Sequence, residues 1–211
     1  MGPELTAKLI EAATAAVAAH AEELTALDQA IGDGDHGLNM KRGFDAIAET
    51  GDEVAALPFD QALQKLGMTL VMKVGGASGP LYGSLLMAMG EAAGGAPADA
   101  ADVANALAAG VNAVKTRGKS DVGEKTMLDV LVPTLETLRA ASADGSTASE
   151  VLSAVRSAAA QGVEATKPMR ALKGRASFLG ERSIGHIDPG ARSSALLIAA
   201  VCDIVEGELG A

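Results

Sequence analysis

The chain has 211 residues, of which 48% are hydrophobic, only 2% are aromatic and about a fifth are alanine. Alanine favours helices, whereas β-branched and aromatic residues favour strands, so we predict an all-helical protein with closely packed helices. The 27 acidic and 17 basic residues give a formal charge of −10, which disfavours direct binding to nucleic acid or to anionic membranes. Cys202, the single cysteine, cannot form an internal disulfide, and no stretch reaches the roughly 18 apolar residues of a membrane span, so we expect a cytoplasmic protein.

Glycine and proline residues divide the sequence into eight predicted helices. Asp188 suits the cap of the last helix and Pro189 its first position, whereas Pro133 is expected to kink or break the sixth helix. The predicted helices cover residues 3–27, 38–49, 59–74, 81–93, 100–116, 125–141, 147–166 and 188–208. No linker interrupts them, so we expect residues 1–211 to form a single all-α domain, an up-and-down antiparallel bundle or barrel of eight helices.

Four loops follow the odd-numbered helices, and three of these loops are rich in glycine. They cover residues 28–37, 75–80, 118–124 and 169–190. Alternate loops of an up-and-down bundle lie at the same end, so all four loops are expected to cluster there. This end of the bundle is therefore the predicted active end.

The first loop is acidic, with Asp28, Asp33 and Asp35 inside eight residues. Carboxylates packed this closely repel one another unless a cation lies between them, and oxygen ligands select Mg²⁺, Ca²⁺ or Mn²⁺. A solvated acidic turn is the alternative interpretation. A calcium EF-hand does not fit, because Gly37 occupies its third acidic position and Phe44 the place of its bidentate glutamate.

The other loops suit an anionic ligand. Residues 37–39 begin a predicted helix, and the N–H groups of a helix start bind phosphate well. The second loop contributes small residues and the hydroxyl of Ser78. The fourth loop carries Lys173, Arg175 and Arg182 in an otherwise acidic protein, which indicates binding of an anion. Flexible turns and ordinary ion pairs with acidic neighbours are the alternatives.

Four stretches in this order resemble the nucleotide-binding L subunits of dihydroxyacetone kinases, the DhaL family. These stretches are Gly32–Met40, Gly75–Leu81, Gly123–Met127 and Lys173–Ala191. The resemblance spans nearly the whole chain. It implies a barrel of eight amphipathic antiparallel helices that holds ADP or ATP with Mg²⁺, as a pair of ions, at one end.

The resemblance also implies an activity. In the family members driven by the phosphoenolpyruvate phosphotransferase system, a multiphosphoryl donor subunit phosphorylates the bound ADP. The resulting ATP then passes its γ-phosphate to dihydroxyacetone on a separate K subunit, and ADP stays bound as a coenzyme. Residues 36–40 look closer to this type. Two alternatives remain: an ATP-dependent ketose or polyol kinase subunit with exchanging nucleotide, or an ADP-sensing module that contacts a transcription regulator. A homodimer is compatible with either.

The family's site residues correspond to positions in all four loops. Asp28, Asp33 and Asp35 correspond to the metal ligands, and Arg175 is the expected stabiliser of charge near the transferred group. The residues that correspond to nucleotide contacts are His36, Gly37, Leu38, Asn39, Ala77, Ser78, Gly118, Met127, Arg175, Asp188, Pro189 and Gly190.

Overall fold

The computed structural model describes residues 2–210, and no strand occurs among them. These residues form ten α-helices and one 3-10 segment, Arg175–Ser183. The helices are α1 (Pro3–Ala19), α2 (Ala21–Ile31), α3 (His36–Ala48), α4 (Gly51–Ala55), α5 (Phe59–Lys73), α6 (Ser78–Ala93), α7 (Ala100–Gly118), α8 (Leu128–Ala143), α9 (Ala148–Thr166) and α10 (Pro189–Leu209). No helix in this part of the chain is long and apolar enough to cross a membrane.

Eight of the helices pack side by side in a closed ring. Going round it, α1 is followed by α3, α5, α6, α7, α8, α9 and α10, and α10 packs back against α1. The interior is filled mainly by aliphatic side chains, with buried residues such as Met40, Leu70, Val114 and Leu128 at its centre. The predicted all-α, eight-helix barrel is therefore confirmed as the architecture.

The predicted number of helices was too low. The first predicted helix is two helices, because His20 leaves the helical conformation (φ −113°, ψ 11°) and its Nδ1 lies 2.8 Å from the carbonyl oxygen of Ala16. The one-turn α4 was missed, and the predicted long fourth loop contains the 3-10 segment. Hence eleven helical segments lie within residues 2–210, of which eight build the ring.

Pro133 does not break its helix. Helix α8 continues from Leu128 to Ala143 although a proline in its interior removes one backbone hydrogen bond. Leu131 and Leu135, on either side of the proline, are both buried in the core. Packing on both sides therefore outweighs the loss of one hydrogen bond.

Small residues allow the helices to approach closely, as the composition predicted. A Cβ atom on Gly67 of α5 would lie 2.7 Å from the carbonyl oxygen of Gly83 on α6, and a Cβ on Gly83 would meet the carbonyl of Gly67 at the same distance. Real Cβ atoms are not found this close to backbone, so a side chain on either glycine would push the two helices apart.

Candidate functional site

Four loops meet at one end of the ring around a cavity of about 650 Å³. The cavity wall includes residues of all four predicted loops, so the predicted clustering at one end is confirmed. The predicted site residues in the wall are Asp28, Asp33, Asp35, His36, Ala77, Ser78, Gly118, Met127, Arg175, Asp188, Pro189 and Gly190.

Gly37, Leu38 and Asn39 are the predicted site residues that the cavity wall does not include. Helix α3 begins at His36, and the Leu38 side chain is 63% exposed to solvent. Asn39 is buried, and its Oδ1 accepts a hydrogen bond of 2.8 Å from Arg42, whose Nε also donates to the carbonyl of Lys73 just before the second loop. Asn39 thus supports the loop that lines the cavity.

The three aspartates converge as predicted. Each offers a carboxylate oxygen, and the three oxygens lie within 4.8 Å of one another. Asp28 was predicted in a loop, but it lies in the last turn of α2 and is buried. Its Oδ2 accepts hydrogen bonds from the amides of Asp35 (2.8 Å) and His36 (3.1 Å), so Asp28 caps α3 and is held in one orientation.

Gly32 leaves the space that the Asp28 carboxylate occupies. A Cβ atom at position 32 would lie 2.9 Å from Asp28 Cγ and nearer still to Oδ1. Together, a fixed carboxylate, two neighbouring ones and an oxygen-only donor set fit a hard cation such as Mg²⁺. Arg175, at the start of the 3-10 segment, lies on the same cluster with its Nη2 3.1 Å from Asp33 Oδ2.

His36 joins the cavity to a buried group of hydroxyls. Its Nδ1 lies 3.1 Å from Ser78 Oγ, and its Nε2 lies 2.9 Å from Ser193 Oγ on α10. Tyr82 Oη lies 2.8 Å from the hydroxyl oxygens of both Ser193 and Ser194. Burial lowers the pKa of His36 and raises the pKa of Tyr82 to about 12, which keeps the Tyr82 hydroxyl protonated.

A buried lysine, Lys125, also lines the cavity. Lys125 has a positive φ of 61°, and its Nζ donates to the carbonyls of Thr166 (2.6 Å) and His186. Burial lowers the pKa of Lys125. The two hydrogen bonds of Lys125 connect the end of α9 to the segment that leads into α10. They therefore help to fix residues 188–190, which form part of the cavity wall.

Asp188 caps α10 from inside this wall, as the sequence predicted. Its Oδ2 accepts a hydrogen bond of 2.7 Å from the amide of Ala191, and its own amide donates to Thr166 Oγ1. Burial and, less strongly, the carboxylate of Asp129 raise the pKa of Asp188 to about 7, against the hydrogen bond from the amide of Ala191 and the nearby Lys125 ammonium. A neutral and an ionised form of Asp188 are therefore both accessible near neutral pH.

Sequence reasoning missed Tyr82 and the two serines that it contacts. Tyr82 is the only tyrosine of a chain with 2% aromatic residues, and that rarity was the one signal available. Ser193 and Ser194 lie inside an ordinary helical pattern, and nothing in the sequence marked them as part of the site. Lys125 stood within the predicted third motif, but its burial could not be read from the sequence.

The fold and this site define the class of protein. A family model described as the DAK2 domain matches residues 30–203, and the chain belongs to this family. It is 44% identical over 178 residues to "PEP-dependent dihydroxyacetone kinase 1, ADP-binding subunit DhaL" of Listeria innocua, covering 84% of each chain. The corresponding DhaL subunit of Escherichia coli is also 44% identical, over 82% of each chain.

A solved structure shares the fold. It is the dihydroxyacetone kinase of C. freundii in complex with AMP-PNP and Mg²⁺, which superposes with a TM-score of 0.73 at 30% sequence identity. The match covers 95% of this chain and 34% of that much longer one.

Proposed function

We propose that this chain is the nucleotide-binding, phosphoryl-transferring subunit of a dihydroxyacetone kinase, with ADP or ATP and Mg²⁺ in the cavity at one end of the ring. The observation that carries this proposal is the convergence of three carboxylate oxygens within 4.8 Å, at the wall of a cavity of about 650 Å³ that four loops enclose. The similarity to the DhaL subunits of Listeria innocua and Escherichia coli supports the same assignment.

In this proposal Asp28, Asp33 and Asp35 hold Mg²⁺, as a pair of ions, from one side. Mg²⁺ with phosphate oxygens in its shell neutralises phosphate charge and orients the group for in-line transfer. Asp28 is fixed by the two amides that it caps, so the acidic cluster is preorganised.

The other loops bind the nucleotide. Ala77 and Ser78 present the start of α6 to phosphate, together with the imidazole of His36. Gly118 and Met127 line the part of the wall assigned to adenine, and residues 188–190 close the site. Arg175, which is 73% exposed beside Asp33, is placed to turn toward the transferred group and stabilise its charge.

The phosphoryl group comes from a multiphosphoryl donor subunit of the phosphotransferase system and leaves to dihydroxyacetone on a separate K subunit. Bound ADP accepts and returns it, so no side chain of this chain needs to be phosphorylated. A cytoplasmic location, a homodimer and a contact with a transcription regulator are further predictions.

A freely exchanging ATP-dependent kinase subunit is the second candidate. The C. freundii kinase was solved with AMP-PNP, and a D-erythrulose kinase of Mycolicibacterium smegmatis is 35% identical over 97% of this chain, which spans 36% of that relative. In this candidate ATP enters and ADP leaves in every turnover.

A single-turnover experiment tests the proposal and separates the two candidates. The protein is loaded with γ-labelled ATP and Mg²⁺, then mixed with dihydroxyacetone and a dihydroxyacetone-binding subunit, with unlabelled ATP in excess. We expect about one labelled dihydroxyacetone phosphate per chain, because bound nucleotide reacts before it exchanges. Full dilution of the label favours the exchanging kinase, and no transfer at all contradicts the proposal.

Two variants make this experiment specific. Asp35→Asn removes one charge from the acidic cluster and is expected to abolish transfer. Asp144→Asn removes the same charge from the exposed turn after α8 and is expected to behave like the unaltered protein.

A further inference from the structure

The His36 side chain contacts Ser193, a residue that does not line the cavity. Its Nε2 lies 2.9 Å from Ser193 Oγ, and Ser193 is fully buried on α10, one turn beyond the cavity wall at residues 188–190. The other ring nitrogen of His36 lies 3.1 Å from Ser78 Oγ, which does line the cavity. Ser193 therefore reaches the cavity wall only through its contacts with His36, Tyr82 and the carbonyl of Gly190, of which the contact with His36 is not shared by its neighbour Ser194.

The hydroxyl protons of this cluster indicate the direction of the hydrogen bond. Ser193 Oγ lies 3.1 Å from the carbonyl oxygen of Gly190, which can only accept, so the Ser193 hydroxyl donates there. Tyr82 Oη lies 2.8 Å from the hydroxyl oxygens of both Ser193 and Ser194 and 3.3 Å from the carbonyl oxygen of Gly190, to which it donates. With its proton directed to Gly190, the Ser193 oxygen can accept a hydrogen bond from His36 in the tautomer that carries the proton on Nε2.

We propose that Ser193 is a positioning residue. It accepts a hydrogen bond from Nε2–H of His36 and so holds the imidazole with Nδ1 turned toward Ser78 at the cavity. The proposal rests on the function proposed above, because it assigns this role at the nucleotide site. Without Ser193 the ring loses the hydroxyl partner of Nε2 and keeps the Ser78 hydroxyl and a backbone contact with Pro189, so its orientation is held less firmly. Since a buried ring held at both nitrogens is preorganised, its release should weaken ligand binding.

Ser194 supplies a matched control. It is the adjacent residue on the same helix, is equally buried (1% exposed against 0% for Ser193) and also contacts the hydroxyl of Tyr82. Only Ser193 contacts His36. Replacing either serine by alanine removes the same atom from the same layer of the core, so a general loss of packing appears in both variants.

The first readout is the imidazole itself. The chain has three histidines, so proton–nitrogen NMR of the side chains gives a simple spectrum, in which the His36 signals are identified by their loss in His36→Gln. We expect Ser193→Ala to move the Nε2 signal of His36 and Ser194→Ala to leave it in place. Equal movement in both variants, or movement in neither, overturns the proposal.

The second readout is binding of ADP with Mg²⁺ by calorimetry. We expect Ser193→Ala to raise the dissociation constant about tenfold, the effect of losing about 1.4 kcal/mol, and Ser194→Ala to change it less than about twofold. Ser193→Thr keeps the hydroxyl and should restore binding. If Ser193→Ala does not fold, Ser193→Cys carries the same expectation.

The two readouts separate the positioning role from the proposed function. Should the unaltered protein bind no nucleotide, the proposed function fails, while the His36 signal still decides whether Ser193 holds the ring. Normal binding by Ser193→Ala together with an unmoved His36 signal contradicts the positioning role and leaves the proposed function standing.

Discussion

At the scale of single residues, the acidic cluster depends on a position that has no side chain. Gly32 lies against the Asp28 carboxylate, and a Cβ there would be 2.9 Å from Asp28 Cγ. We therefore predict that Gly32→Ala displaces Asp28 and weakens Mn²⁺ binding, measured by electron paramagnetic resonance, by about 10- to 100-fold, the usual effect of disturbing the support of a ligand.

Gly207→Ala is the control for this substitution. Gly207 lies in α10 with nothing within 4 Å of its Cβ position, so alanine fits there without contact. The control should bind Mn²⁺ like the unaltered protein. Unchanged Mn²⁺ binding by Gly32→Ala would show that the carboxylate of Asp28 is not a ligand in the assumed position.

Asp188 makes the stability of the ligand-free protein depend on pH. Burial raises its pKa to about 7, so the folded state binds the proton more tightly than the unfolded chain, whose aspartate pKa is about 3.9. The stabilisation is fully present below about pH 4 and is lost as the pH rises toward 7. Relative to Asp188→Asn, the free energy of unfolding should fall over this interval by as much as about 4 kcal/mol.

Urea unfolding at a series of pH values between 4 and 8 measures this difference. Asparagine caps helices as well as aspartate does, so the substitution keeps the hydrogen bond to the amide of Ala191. A free-energy difference that stays constant across the interval would mean that Asp188 titrates normally in the folded protein.

At the scale of the helices, close packing between α5 and α6 is the feature most sensitive to substitution. A Cβ on Gly67 would meet the backbone of Gly83 at 2.7 Å and Met87 Cγ at 2.7 Å. We expect Gly67→Ala to lower the free energy of unfolding by about 1–3 kcal/mol, because overpacking exceeds the gain in helix propensity of about 1 kcal/mol.

A glycine-to-alanine substitution on an open helix face should instead raise the free energy of unfolding. Gly207→Ala adds the propensity gain without a contact, so denaturant unfolding should show a stabilisation of up to about 1 kcal/mol. If Gly67→Ala also stabilises the protein, the two helices are further apart in solution than in the structure described here.

Most of the helices could be predicted because their ends are marked locally. Asp188 and Pro189 mark the start of α10, and both take the cap and first-turn positions that their chemistry favours. The break at His20 carried no such mark, because neither glycine nor proline stands there. The persistence of α8 through Pro133 depends on packing, which the local sequence does not contain.

The candidate site likewise has one part that the sequence predicts and one part that it does not. The three aspartates lie within eight residues, so their proximity was evident from the sequence, and the cluster forms as predicted. The contacts of His36 with Ser78 and Ser193 join residues 42 and 157 positions apart. Such contacts follow from the closure of the ring of helices, and no local sequence pattern predicts them.

At the scale of the whole molecule, ring closure brings one end of four helix pairs around a single cavity. The protein carries a formal charge of −10, yet Arg117, Lys125, Lys173 and Arg175 line that cavity. An anionic ligand bridged by Mg²⁺ should therefore stabilise the entire fold. At 100 times its dissociation constant the ligand should contribute about 2.7 kcal/mol.

Differential scanning calorimetry measures this stabilisation. We expect ADP with Mg²⁺ to raise the unfolding temperature, and we expect EDTA to remove most of the increase because the acidic cluster then repels the phosphates. AMP, which lacks the second phosphate, should have a smaller effect. An increase that survives EDTA would place the nucleotide away from the three aspartates.

Native mass spectrometry of the purified, extensively desalted protein tests whether this chain holds a nucleotide with Mg²⁺ on Asp28, Asp33 and Asp35. We expect a mass excess equal to ADP with magnesium, and the loss of that excess when Asp33 and Asp35 are both replaced by alanine. A protein that shows the bare chain mass and gains nothing when ADP and Mg²⁺ are added would contradict this expectation.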